Sequence, residues 1–261
     1  MRYDSTTGLP REQITELVAR ISQVLNSRSE PSKGPGGRPP ALGLYRQVVL
    51  VLVLLRQNMI QSVAADLFGL SQPSVSRFYR RLVPIIDEVL AHHEPGELGE
   101  LAGKHTVLVD GTDVPTRRFR AGITENYSGK KRRHGLLIQV ASNDQGRLLS
   151  VSNPVPGRRH DSWALTEVGW EKILKDHTWL ADPAYIGTNA ITPLKKPAGG
   201  ELNDHDKAYN KQISLIRSAV ERAIAHLKNW KILATGYRAR LTELPKVIRT
   251  VTRLEYYRLG W

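Results

Sequence analysis

Asp110, Asp182 and Glu221 lie far apart in the chain, yet each falls where a strand or helix could aim it at one point. Asp110 closes the apolar run Thr106-Val107-Leu108-Val109, and Asp182 closes the shorter run Trp179-Leu180-Ala181. Glu221 sits mid-helix in Ile216-Arg217-Ser218-Ala219-Val220-Glu221, with Lys228 two turns on. A carboxylate at the end of a buried strand is costly unless it meets a cation or a hydrogen-bond donor. Magnesium is a hard ion that takes oxygen ligands, commonly two or three carboxylates plus a substrate phosphate. Two such ions, about 3.5–4 Å apart, can activate a water or a 3′-hydroxyl and stabilise the leaving oxygen of an in-line displacement. Phosphodiester chemistry with Mg2+, or Mn2+ as its substitute, is the expectation.

Each residue also has a plainer reading. Arg217 and Glu221 are four apart, so a surface ion pair explains both, contributing only about 0.3–0.5 kcal/mol. It is the combination with Asp110 and Asp182 that makes Glu221 a third ligand. Asp161 is a rival second carboxylate; its plain role is a helix N-cap, and its chemical role is accessory metal binding or water positioning. Asp113 reads as a hairpin-turn residue. The run Lys130-Lys131-Arg132-Arg133 is either a solvated hairpin tip or a phosphate clamp beside the site. His134 and His160 could touch nucleic acid but lack a second histidine at ligand spacing. Trp163 and Trp230 read as packing residues, with stacking on an unpaired base as the alternative.

The composition says which partner such a site would meet. Lys and Arg number 38 against 25 Asp and Glu, giving a formal charge of +13, so nucleic acid or an anionic surface is attracted. Hydrophobic residues make up 40% of the 261, enough for real cores. The longest apolar run, Val48 to Leu55, falls short of the roughly 20 residues a membrane span needs. The N-terminal residues carry no apolar signal-peptide core, and the chain has no cysteine, which together fit a reducing cytoplasm.

The elements that must position these residues follow from periodicity. Leu9 to Leu25 reads as a helix with Pro10 in its first turn and Ile14, Leu17, Val18, Ile21, Val24 and Leu25 as its apolar stripe. Ser27 to Pro40 is a Gly/Pro-rich basic linker, in which Gly37-Arg38-Pro39 is either a solvated arginine or a minor-groove hook. Leu44 to Gln57 is a nearly all-apolar helix. A short helix, Ser62 to Phe68, stops at Gly69, and a third begins at Ser71 or Gln72 with Pro73 in its first turn. That third helix should bury Val75, Phe78 or Tyr79, Leu82 and Ile86, and turn Gln72, Ser74, Ser76, Arg77, Arg80 and Arg81 outward. This is a helix-turn-helix pattern in a basic chain, where an ordinary helical hairpin is the plain alternative.

Beyond Lys104 the period changes. Thr106–Asp110, Gly135–Ser142 and Arg147–Ser152 read as strands, the last two antiparallel across Asn143-Asp144-Gln145-Gly146. Asp161 to Lys175 reads as one helix, Trp179 to Asp182 as a strand ended by Pro183, and about Asp206 to Trp230 as a long helix. Its buried stripe would be Ile213, Ile216, Val220, Ile224 and Leu227, leaving Arg217, Glu221 and Lys228 on an adjoining face. Leu244 to Leu259 closes the chain. The pattern describes an α/β class: a mixed sheet with helices on its faces. Expected boundaries are an N-terminal helix in 1–30, the linker in 31–41, the helix-turn-helix in 42–98 and the chemical domain in 99–261.

Five ordered segments carry a resemblance: Val109-Asp110-Gly111-Thr112, Tyr127-Ser128-Gly129-Lys130-Lys131, Pro156-Gly157-Arg158-Arg159-His160-Asp161, Asp182-Pro183-Ala184-Tyr185-Ile186-Gly187 and Arg217-Ser218-Ala219-Val220-Glu221. Their order resembles that of DDE transposases, in particular bacterial insertion sequences of the insertion-sequence-five family and the related Harbinger elements. Arg56-Gln57-Asn58, Ala65-Asp66-Leu67-Phe68-Gly69 and Ser71-Gln72-Pro73-Ser74-Val75-Ser76-Arg77 resemble that group's helix-turn-helix.

The resemblance implies a ribonuclease-H-like catalytic core holding two Mg2+ ions, with Asp110, Asp182 and Glu221 as the three carboxylates. It also places Arg217 and Lys228 on DNA phosphates. Two departures stand out: Ser214 occupies the place of a tyrosine, and Ala181-Asp182-Pro183-Ala184-Tyr185 lacks two glycines of the usual motif. The expected function is cleavage and strand transfer at the terminal inverted repeats of an insertion sequence. Double-stranded DNA, as transposon ends and target, would be the partner, bound by a homodimer or larger oligomer near the nucleoid and not at a membrane. The alternatives are a catalytically inactive, transposase-derived DNA-binding regulator and a nuclease without strand transfer.

Overall fold

The computed structural model describes residues 3–28, 41–117 and 124–261, apart from the side chain of Tyr3. The expected linker over 31–41, but for its last residue, and the Gly37-Arg38-Pro39 fragment lie outside them. Contacts divide the chain into two compact units: Met1–Glu94 with Asn229–Thr235 and Lys246–Trp261, and Pro95–Lys228 with Gly236–Pro245.

The first unit is helical: α1 (Tyr3–Thr7), α2 (Arg11–Ser27), α3 (Leu44–Gln57), α4 (Gln61–Phe68) and α5 (Gln72–Val89). Pro10 is the N-cap of α2 rather than part of its first turn. Every residue of α3 from Gln47 to Leu55 is buried, as its near-continuous apolar run requires. Helix α4 stops at Gly69 in the left-handed region (φ 66), and α5 starts from Ser71, with Pro73 in its first turn. Val75, Leu82 and Ile86 are buried; Phe78 and Tyr79 are half-buried against the cluster of Leu42, Leu50, Leu54, Ala64, Ala65 and Val75. Asp87 of α5 is held by Arg249 (Nη2–Oδ2 2.6 Å) and Arg253 (Nη1–Oδ2 3.0 Å) of the closing helix, Leu244–Leu259. Trp230 is fully buried, its indole N–H donating to Glu255 Oε2 at 3.0 Å, so it packs rather than stacks on a base.

The second unit opens with helix α6 (Leu98–Ala102) and is built on a six-stranded sheet of β1 (Val107–Pro115), β2 (Tyr127–Ser128), β3 (Arg133–Ser142), β4 (Leu148–Val151), β5 (Val155–Pro156) and β6 (Trp179–Leu180). Strand β3 pairs antiparallel with β1 along one edge; β2, β5 and β4 share its other edge in turn. Strand β6 joins β1 in parallel, Val107 opposite Trp179 and Leu108 opposite Leu180, so the sheet is mixed. Helices α7 (Asp161–Glu167), α8 (Trp170–Leu174) and α9 (Asp204–Lys228) flank it. This is the ribonuclease-H-like arrangement expected, following an N-terminal helical region.

Several expectations need correction. Strand β1 runs five residues past Asp110, because β3 pairs with it as far as Pro115. Asp113 is therefore a buried mid-strand residue, not a turn. The predicted helix Asp161–Lys175 is two helices, broken at Gly169, whose φ of 79 a helix cannot continue. His160 occupies the N-cap of α7, and Asp161 is its first residue, making no cap hydrogen bond. On α9, Ile213, Val220 and Leu227 are buried with Ala219 and Ala223, but Ile216 is 40% exposed and leaves the predicted stripe.

Candidate active site

Strand β1 sets the stage. Val107, Leu108 and Val109 are fully buried, each contributing about 1.5–3 kcal/mol, and they fix the backbone that presents Asp110. The parallel register pairs Leu108 with Leu180; continued by two residues, it brings Asp182 beside Asp110. Strand β6 ends at Leu180 rather than at Asp182 as expected, and Asp182 caps the short turn Pro183–Tyr185, its Oδ1 accepting the Ala184 N–H at 2.8 Å. Asp110 Oδ1 likewise accepts a backbone N–H, from Gly111 at 2.9 Å.

Asp161 joins them from the start of α7. A Cβ added at Gly111 would lie 2.0 Å from Asp161 Oδ1, so the carboxylate rests on strand β1 where only a glycine leaves room. Electrostatics reports the same neighbourhood. Burial first, and then the charges of Asp182 and Asp161, push the Asp110 carboxyl up to about 6, against the opposing pull of Arg217. Burial and Asp182 also raise Asp161, while Lys130, Lys131 and His160 oppose the rise. Three carboxylates thus share one field, with the basic β2–β3 turn beside them.

Helix α9 supplies the remaining candidates. At about 100° per residue, Lys228 lies within roughly 20° of Arg217 around the helix, and Glu221 about 40° from it. Arg217 acts on Asp110, and its Nε is buried without a hydrogen-bond partner. Lys228 donates to the Asp113 backbone carbonyl. Glu221 is exposed, and among the described residues no three acidic or histidine side chains are close enough to enclose a metal ion. The donors fit a divalent cation in kind: oxygen ligands, one of them half-buried and raised by burial and its acidic neighbours, which a cation would relieve.

A hydrogen-bonded chain missed by sequence reasoning lies beneath the carboxylates. The Tyr185 hydroxyl donates to Gln139 Oε1, both side chains being fully buried, and Gln139 Nε2 donates to the Asp161 carbonyl at 3.5 Å. Burial, then Asp161, Asp110 and Asp182, raises the Tyr185 hydroxyl well above its ordinary value, so it stays a donor. The signal for it was the tyrosine retained in Asp182-Pro183-Ala184-Tyr185, three residues past the carboxylate.

In the basic turn, Arg132 takes a left-handed conformation (φ 51), and Lys131 and Arg133 both bind Asp113. Arg159 stacks over Trp163 at 4.3 Å, which accounts for that tryptophan. In the helical unit, Gln72, Arg77, Arg80 and Arg81 are exposed and Ser74 and Ser76 half-buried. Arg77 Nη2 bonds Ser74 Oγ at 3.0 Å and Arg80 Nη2 bonds Ser76 Oγ at 3.1 Å, ordering that face of α5.

The family model described as "DDE superfamily endonuclease" matches residues 109–255, more than half of the chain. The chain belongs to that superfamily. The model "Helix-turn-helix of DDE superfamily endonuclease" matches residues 40–91, over α3 to α5. Among similar proteins is the "Putative transposase for insertion sequence element IS112" of Streptomyces albus G, 32% identical over 200 residues, 76% of this chain and 73% of that protein. The "Probable transposase for insertion sequence element IS702" of Microchaete diplosiphon is 26% identical over 92% of this chain and 87% of its own length. The "Putative nuclease HARBI1" of Rattus norvegicus is 24% identical over 85% of this chain and 66% of its own. No solved structure matches. No helix among the described residues is long and apolar enough to cross a membrane.

Proposed function

We propose that this DDE endonuclease is an insertion-sequence transposase, of the insertion-sequence-five group, that cuts DNA at the terminal inverted repeats of its element and joins the freed ends to target DNA. The observation that carries this reading is the convergence of Asp110 within β1, Asp182 just past β6 and Asp161 at the start of α7, seen in the β1–β6 register and in the close approach of Asp161 to Gly111, with Asp182 and Asp161 both raising the Asp110 carboxyl. Asp110 and Asp182 are the first two catalytic carboxylates. Glu221 enters as the third on the strength of its place on α9, one turn from Arg217 and two before Lys228. Asp161 is an accessory ligand or water-positioning group.

These carboxylates would hold Mg2+, two ions with Mn2+ as substitute, supplying Lewis-acid charge at the scissile phosphate and a nucleophile activated at neutral pH. Arg217, with its unpaired buried Nε, offsets carboxylate charge and reaches for a phosphate oxygen. Lys130, Lys131, Arg132, Arg133 and Lys228 bind backbone phosphates beside the site. Gln72, Ser74, Ser76, Arg77, Arg80 and Arg81 on α5 read the repeat in the major groove. Two ends must be brought together, so the active form is a homodimer or larger oligomer, working at the nucleoid in the cytoplasm.

The test is cleavage of supercoiled plasmid carrying the coding sequence with its flanking DNA, with Mg2+ or EDTA. Wild type, Glu221→Ala and Asp161→Ala are compared. Metal-dependent cuts at the repeat boundary, lost in Glu221→Ala and reduced in Asp161→Ala, are expected. Tight repeat binding with no cut in Mg2+ or Mn2+ would instead identify an inactive DNA-binding regulator. Cuts without joined products would identify a nuclease.

A further inference from the structure

Asp113 points to a second site on strand β1. Its side chain is 10% exposed, yet it gathers three cations from three separate elements. Lys131 Nζ, from the β2–β3 turn, lies 2.6 Å from Oδ1, and Arg133, at the start of β3, places Nη2 2.7 Å and Nε 2.8 Å from Oδ2. Lys228, at the end of α9, lies 4.0 Å from Oδ1 and donates to the Asp113 backbone carbonyl. One negative charge thus orders three positive ones, leaving a local excess of two. Exposure grades the trio: Arg133 48%, Lys131 40% and Lys228 20%, so two of the side chains are open to solvent and the third is largely covered.

A loose cluster of surface lysines would bind an anion only after ordering its side chains. Here the ordering has been done in advance by a buried carboxylate. We propose that Asp113 is a positioning residue that assembles Lys131, Arg133 and Lys228 into one seat for a nucleic-acid backbone phosphate. The inference rests on the proposed DNA substrate, but on none of the metal-binding carboxylates.

The groups that face Lys228 are Asp113 from β1, Lys131 from the turn and Arg133 from β3. Burial pushes the Lys228 amine down to about 8, Asp113 pulls it up, and Lys131 and Arg133 push it further down. Replacing Asp113 by a neutral residue removes the one upward influence. The amine then loses its proton at lower pH, and the seat loses a charge with it.

This separates positioning from bulk charge. Asp113→Asn makes the chain more positive, so charge alone predicts tighter DNA binding. Positioning predicts the reverse. The experiment measures binding of a mixed-sequence duplex by fluorescence anisotropy, across salt concentrations and from slightly acidic to mildly alkaline pH. Wild type, Asp113→Asn and the double variant Lys131→Gln/Arg133→Gln are compared. Expected for Asp113→Asn is a loss of about tenfold at neutral pH, with the alkaline fall in affinity moved to lower pH. Because Lys131→Gln/Arg133→Gln leaves the buried Asp113 carboxylate with Lys228 alone, the single variant Lys131→Gln, which keeps the Arg133 ion pair, is measured beside it. The double variant should make the slope of log K against log salt shallower by roughly one, the loss of one phosphate contact. Equal or tighter binding by Asp113→Asn at every pH, or an unchanged slope in the double variant, would overturn the proposal. Cleavage of the flanking-DNA plasmid is followed in parallel. A wild type that binds as described but never cuts leaves the phosphate seat standing and removes only the catalytic reading.

Discussion

Asp110 and Asp113 stand three residues apart on one strand and live in opposite electrostatic worlds. Around Asp110 the neighbours are Arg217, Asp182 and Asp161, and burial with the two acidic charges outweighs Arg217 and pushes the carboxyl up to about 6. Burial would raise Asp113 as well, but the Lys131 hydrogen bond and the charges of Lys228, Lys131 and Arg133 outweigh it and hold Asp113 below its ordinary value. One strand thus carries an acidic cluster opposed by Arg217 alone and a carboxylate matched by three cations. On the proposed reading the first would be completed by a divalent cation and the second would take a phosphate. A protein cutting a phosphodiester needs both within reach of one substrate.

The same substitution at the two positions should therefore act in opposite directions. A carboxyl raised from 3.8 to about 6 favours the fold only at low pH, and at neutral pH its ionised form costs roughly 3 kcal/mol. Asp110→Asn should raise the stability of the metal-free protein at neutral pH by up to that amount, while cleavage falls by about three orders of magnitude or more. Asp113, with a lowered value, contributes stability above its ordinary range that is lost as pH falls through its folded value. Asp113→Asn strands three cations, one of them mostly buried, and should cost about 3 kcal/mol. Urea unfolding of the two variants reads both signs. Matching signs would dissolve the contrast.

Divalent metal should sharpen it. If the Asp110 cluster holds Mg2+ as proposed, the ion would stabilise the folded state by mass action, by about 2.7 kcal/mol at a hundredfold excess over Kd. Thermal unfolding of wild type should therefore shift upward with Mg2+ at neutral pH. The shift should shrink below the value of about 6 at which Asp110 takes a proton, and vanish in Asp110→Asn. Asp113→Asn, whose cluster has no place for a cation, should keep it. A shift that persists in Asp110→Asn would place the metal elsewhere.

How far this contrast could be read from the sequence depends on where each partner lies. Asp110 and Asp182 were legible as neighbours because each ends an apolar run, though β6 itself stops at Leu180, before Pro183 could end it, and β1 runs on to Pro115. The mixed sheet and flanking helices followed from the change of period after Lys104. Asp113 was not legible: its partners lie 18, 20 and 115 positions away, and only the pairing of β1 with β3 brings two of them near. The break at Gly169 escaped because an isolated glycine inside a helical pattern is commonly tolerated. Asp161 was legible as a helix start but not as a neighbour of Gly111, since a close approach of carboxylate to backbone leaves no periodic trace.

The smallest effect tests what holds the acidic cluster in place. Tyr185 fixes the turn that carries Asp182, and through Gln139 it reaches the backbone of Asp161. Tyr185→Phe keeps the ring, which meets Trp179 edge-on at a centroid distance of 6.0 Å, and removes only the hydroxyl. Gln139 Oε1 is then buried with its donor gone, at a cost of about 1–3 kcal/mol. Adding Gln139→Leu removes the stranded acceptor and should restore most of that stability, because losing both partners costs less than losing one. Cleavage should not recover with it. The double variant regains a packed core but no longer ties the Asp182 turn to Asp161, so activity should stay a few-fold below wild type. If stability and cleavage return together, the pair is only a core contact, and the position of Asp161 is set by Gly111 alone.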